Sequence, residues 1–123
     1  MAETMTIDGL DPAKAGMAKI GENVVLSPKE SLKYDNCDEY SDLFGQIIRQ
    51  GQANLILDFK SVAGIDSKAL ELLVETEDAL RQQGKLLKLA NLNAVCKDIL
   101  MVTRLINQFH VYRDVAEAAR SRS

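Results

Sequence analysis

Between residues 53 and 80 two short apolar stretches lead into Asp66-Ser67 and then into a long amphipathic segment, and this order constrains the fold more than any other part of the chain. Leu55-Ile56-Leu57-Asp58-Phe59 is too short for a helix and reads as a central strand. Residues 62–65 read as a second short strand, interrupted by Gly64. From Ser67 to about residue 83 the period becomes helical: on a wheel of about 100° per residue, Ala69, Leu73, Thr76 and Leu80 point one way with Leu72 beside them. Gly84 supplies the stop. A strand that runs at once into such a helix needs a sheet for the helix to cover.

The flanking chain supplies one. Residues 17–20 and 23–26 form a hairpin around Gly21-Glu22, and Pro28 ends its second strand. Asp35 or Asn36 caps a helix running to about residue 50, since Cys37, Tyr40, Leu43, Phe44, Ile47 and Ile48 recur three or four residues apart. Gly51 ends it. Residues 86–89 make the next strand, and Asn93 caps a helix carrying Val95, Cys96, Ile99, Leu100 and Val102. Residues 109–112 read as a last strand and Asp114 opens a terminal helix. The expected fold class is α/β: a single domain with a four- to five-stranded mixed sheet and about four helices packed largely on one face. Residues 1–16 are expected to be a flexible N-terminal arm or a loosely attached first strand, residues 17–120 the domain, and residues 121–123 a tail.

At 123 residues the chain has room for one principal core. A net charge of -3, with 15 scattered basic residues, argues against a nucleic-acid surface. No apolar run reaches the roughly 20 residues of a membrane helix, and no secretory leader is visible. Cys37 and Cys96 each fall in an apolar helical register and read as two buried reduced thiols, which fits a cytoplasmic location. The single histidine, His110, reads as an exposed strand residue between inward-facing Phe109 and Val111. Neither cysteine has metal-ligand spacing with it. Asp58 and Asp66 form no constellation with a nucleophile or base, so capping of loops explains them better than catalysis. No enzyme activity, cofactor or metal is expected.

The chemistry gathers at the helix start. Ser67 or Asp66 can accept a bond from an early amide and do nothing more. The reciprocal capping pattern is absent, because Leu70 follows Ser67 by three residues. Lys68 puts a cation in the first turn, against the helix dipole. It is either a solvated lysine that tolerates this cheaply or one that meets an acidic partner or a phosphate on Ser67. Leu70 and Val74 lie off the inward stripe, with Glu71, Glu75 and Asp78 on the opposite arc. They either pack under a neighbouring helix or form an apolar edge beside Ser67, suited to a partner. On the second reading, phosphorylating Ser67 adds roughly 1.5 to 2 negative charges beside an apolar contact and weakens a complex.

Leu57-Asp58, then Ile65-Asp66-Ser67 before the helix with Leu70, Leu72 and Leu73, then Gly84-Lys85-Leu86-Leu87-Lys88-Leu89, then Val102-Thr103-Arg104-Leu105 ahead of Phe109-His110-Val111-Tyr112, stand in the order of a known pattern. The stretch from residue 54 to residue 119 resembles a STAS domain, the fold of bacterial anti-sigma factor antagonists. The resemblance implies that Ser67 is the phosphoacceptor of a partner serine kinase that doubles as an anti-sigma factor. The unmodified domain would bind that partner and the phosphorylated one release it, with a serine phosphatase as a second partner. Two departures bear on this. The usual Asp-Ser-Ser/Thr-Gly becomes Asp66-Ser67-Lys68-Ala69, and a Gly-x-Leu/Val-Asp turn becomes Glu30-Ser31-Leu32-Lys33. Since that turn sits near the serine in the family, Ser31 and Lys33 join Asp66, Lys68, Leu70 and Val74 as expected partner-binding residues. The alternative is a constitutive STAS scaffold or a small subunit of a lipid-transport complex.

Overall fold

The computed structural model of the chain describes residues 7–51 and 53–121. Strands β1 (Ala15–Ile20) and β2 (Asn23–Pro28) form an antiparallel hairpin. Strands β3 (Asn54–Asp58), β4 (Leu87–Ala90) and β5 (His110–Tyr112) follow, each parallel to its neighbour, in the order β1-β2-β3-β4-β5. The helices are α1 (Tyr34–Gln50), α2 (Ser67–Gln82), α3 (Ala94–Val102) and α4 (Val115–Arg120), with one 3-10 turn at Ile106–Gln108.

Strand alternation sorts the side chains. Val24 and Leu26, Leu55 and Leu57, and Leu87 and Leu89 share one buried cluster with the inward stripes of α1 and α2 and with Cys96 and Leu100 of α3. Each fully buried leucine contributes about 1.5–3 kcal/mol relative to exposure. The α2 stripe is Ala69, Leu72, Leu73, Thr76 and Leu80, the set its periodicity selects. The other face carries Val25, Ile56 and Ala90, buried under Ala118 with Val115 and Ala119 of α4 packed beside it. The helices therefore lie largely on one face, with α4 alone against the other.

Four local features differ from the sequence expectation. Residues 62–65 are not a strand: Ile65 makes a single parallel bridge to Leu32, and the rest of the segment turns back, Val62 N–H donating to Phe59 O. Apolar side chains there fill the core without a ladder. The first helix starts earlier than Asp35, with Lys33 at the cap and the Asn36 side chain reaching back to accept from Lys33 N–H at 2.9 Å. His110 is half-buried rather than exposed, because its row runs across the α4 side of the sheet. The segment before β1 is also tied down over its described part: Ile7 and Leu10 pack on the core, and Asp8 exchanges two hydrogen bonds with the Gln46 side chain. Residues 1–6 of the expected arm, and 122–123 of the tail, lie outside the described residues.

Gly51 closes α1 in the left-handed region, at φ +64°, with its N–H donating to Ile48 O at 3.0 Å. Nothing stands closer than 3.7 Å to where a Cβ would be, so Gly51→Ala tests backbone strain alone. It should cost about 1–2 kcal/mol in urea unfolding. An unchanged midpoint would mean that the turn relaxes to negative φ.

Candidate functional site

Ser67 is exposed, on the first residue of α2, and the loop leading to it is held from both sides. On one flank, Leu32 N–H donates to Gly64 O and Asp66 N–H to Leu32 O, both at 3.2 Å. Ser31 Oγ accepts from Gly64 N–H at 3.2 Å. On the other flank Asn93, the cap of α3, donates from Nδ2 to Val62 O and Ala63 O, each at 3.2 Å. Asn36 steadies the first flank, with Nδ2 donating to Ser31 O at 2.8 Å. The hydroxyl therefore stands on a fixed base at the end of the sheet where the parallel strands finish.

Asp66 does more than cap its own helix. Its Oδ1 accepts from Ala69 N–H of α2 at 3.0 Å, and its Oδ2 accepts from Tyr34 N–H of α1 at 2.8 Å. One carboxylate thus sits at two positive helix ends. The amides of Ala69 and then Tyr34 hold its carboxyl below the ordinary 3.8, and the nearby Lys33 ammonium adds to this. The negative form is the stable one because both amides donate to it.

Leu70 and Val74 are half-buried: each packs partly on the core and partly lines an open groove of about 300 Å3 with Ser67, Glu71, Glu75 and Leu105. Lys68 falls elsewhere. It lines a small cleft of about 50 Å3 between α1 and α2, with Cys37, Asp38, Ser41, Glu71, Leu72 and Glu75, on the other flank of α2. Ser31 spends its hydroxyl on Gly64, and Lys33 is exposed beside Asp66. Of the sequence-selected residues, the structure gathers Asp66, Ser67, Leu70 and Val74 at one rim, with Ser31 and Lys33 adjoining.

Two contributors escape the sequence reading. Leu105 reaches the groove from the turn after α3, which no local period reveals. Tyr34 is 74% exposed at the start of α1, a position that only the fold brings beside Ser67. The cysteines are free and buried, and burial raises both thiols above the ordinary value. Among the described residues no group of three His, Cys, Asp or Glu could hold a metal ion, and no helix is long and apolar enough to cross a membrane.

Comparison with known proteins adds a family to this geometry. A STAS domain model matches residues 14–118. No curated protein sequence matches the chain. Among solved structures, a Thermotoga maritima candidate anti-sigma factor antagonist superposes with a TM-score of 0.80 at 22% identity, over 85% of this chain and 90% of its own. An anti-sigma factor antagonist from Mycobacterium paratuberculosis gives 0.78 at 15%, over 88% and 94%. The Bacillus cell fate determinant SpoIIAA in its phosphorylated form gives 0.68 at 16%, over 86% and 97%. At these identities the likeness is one of fold.

Proposed function

The chain belongs to the STAS domain family, and we propose that it is a phosphorylation-switched protein-binding regulator of the anti-sigma factor antagonist kind. Its unmodified Ser67 face binds a serine kinase that doubles as an anti-sigma factor; phosphate on Ser67 releases that partner, and a serine phosphatase resets the switch. One observation carries this reading: an exposed hydroxyl stands at the lip of an apolar groove formed by Leu70, Val74 and Leu105. A kinase can reach such an oxygen, and a charge placed on it lies within the footprint of anything seated in the groove. That a relative of the same fold is known in a phosphorylated form supports the choice of chemistry.

The phosphate acts on binding rather than on stability. A dianion at the first turn of α2 meets the favourable end of that helix, so the modified domain stays folded. Desolvating it against Leu70, Val74 and an apolar partner surface is what costs affinity. Intact-mass measurement after incubation with the partner kinase and ATP should show one added phosphate in the wild type and none in Ser67→Ala. The phosphorylated chain should then bind that kinase about 10- to 100-fold more weakly, equivalent to about 1.4–2.7 kcal/mol. Phosphate on another residue, or undiminished binding after modification, would move the chain to a constitutive scaffold role.

A further inference from the structure

We propose that Asp66 is the positioning residue that carries the charge state of Ser67 across to the first turn of α1. This rests on Ser67 being the regulated residue, and concerns what its modification does inside the domain. The carboxylate next to Ser67 is divided between two helices, 3.0 Å from Ala69 N and 2.8 Å from Tyr34 N. Its link to Tyr34 spans 32 positions in sequence.

A phosphate on Ser67 crowds a dianion against the Asp66 carboxylate and competes for the amides of the first α2 turn. The two links do not yield equally. The Ala69 bond is partly buried, so stripping its amide leaves a donor poorly served by water. The Tyr34 bond is exposed, and water replaces it at little cost. Repulsion is therefore relieved on the α1 side, by release of Tyr34 N–H. Lys33 and Lys68, both exposed, are the cations that face this change, and Asp35 and Asp38 are the acids on the same first turns of α1. The backbone bridge between Leu32 and Ile65 stays in place, so the effect is confined to the start of α1. That start carries the exposed ring of Tyr34 and the Lys33 side chain, so the switch alters a second patch of surface beyond the groove.

The test needs no kinase. Phosphoserine is installed at position 67 of the full chain during synthesis, and amide exchange is followed residue by residue by NMR. Tyr34 N–H should exchange at least roughly tenfold faster than in the unmodified chain, while Ala69 N–H stays within about twofold. In Asp66→Asn the Tyr34 amide should already exchange fast, at one rate whether or not position 67 carries phosphate. Tyr34 protection unchanged by the phosphate, protection lost at Ala69 instead, or acceleration that persists in full in Asp66→Asn would each overturn the proposal. If no partner kinase modifies Ser67, the functional reading fails while this coupling is still measured on its own.

Discussion

Replacing Lys88 by alanine should lower the stability of the domain by about 2–5 kcal/mol, from the packing lost with a long buried side chain and from acceptors left without their donor. Lys88 lies in the middle of β4 with 0% exposure. Its Nζ donates to Ala118 O and Ser121 O at 2.8 Å and to Asn23 Oδ1 at 3.3 Å, and it stands 5.9 Å from the centre of the Tyr112 ring. The two carbonyls belong to the end of α4, where helix carbonyls lack partners of their own and where a cation is favoured. The ammonium therefore fastens α4 to the second face of the sheet. Alanine leaves a void and three acceptors without this donor. Methionine fills the volume and removes the cost of burying a charge, so Lys88→Met should lose only about 1–2 kcal/mol. Urea unfolding of both variants checks this, and Lys88→Ala within about 1 kcal/mol of wild type would dismiss the fastening role.

The same residue sets a pH signature. Burial pushes the Lys88 ammonium below its ordinary 10.5, with Glu22 partly opposing. Between the folded value and 10.5 the unfolded chain holds a proton that the folded chain has released, so stability from this group rises with pH across that window. Below the window both states are protonated and the contribution is constant. The raised thiols of Cys37 and Cys96 act in the opposite sense, losing their contribution as pH climbs past 9.0. The informative quantity is accordingly the difference between wild type and Lys88→Met, which should shift in favour of wild type as pH is raised through the window below 10.5.

Asp58→Ala should cost about 2–3 kcal/mol, from loss of a charged acceptor that serves three neighbours. Its Oδ1 accepts from Lys60 N–H at 3.0 Å and from Asn91 Nδ2 at 2.9 Å, and its Oδ2 from Ser27 Oγ at 3.0 Å. These partners come from β2, from the turn after β3 and from the turn after β4, so one carboxylate ties three parallel strands at their ends. Asn91 sits at φ +59°, a conformation that asparagine tolerates better than most residues, and the Asp58 bond holds it there. Asp58→Asn keeps the shape and an acceptor and should recover roughly half of the loss. Thermal unfolding of the pair checks the order; equal stability of Asp58→Ala and wild type would show that water replaces the network.

What the chain discloses before folding, and what it hides, follows from range. The α2 stripe, the Gly51 stop and the Asn93 and Asp114 caps depend on residues a few positions apart, and their periodicity and capping chemistry made them legible. Lys88 did not stand out, because a lysine in a four-residue strand reads as the solvent side. Only α4, six residues long and weakly patterned, turns that side into an interior. The apparent strand at residues 62–65 failed for the converse reason: its side chains are apolar because they fill the core, while its backbone bonds go to turns and to Leu32. At the candidate site, Ser67, Leu70 and Val74 were found by spacing along one helix. Tyr34 and Leu105 arrive from distant segments, and the double duty of Asp66 is a contact between residues 32 positions apart.

After the opening hairpin every strand runs parallel, so the connections leaving β2, β3 and β4 all emerge at one end of the sheet. Residues 31–33, 59–66 and 91–93 meet there, stitched by Ser31, Asp66 and Asn93. Three short connectors thereby share one platform, at the end of the sheet that carries Ser67. Leu32, Val62, Ile65 and Leu92 root these connectors in the interior, so the rim cannot shift without the core shifting beneath it.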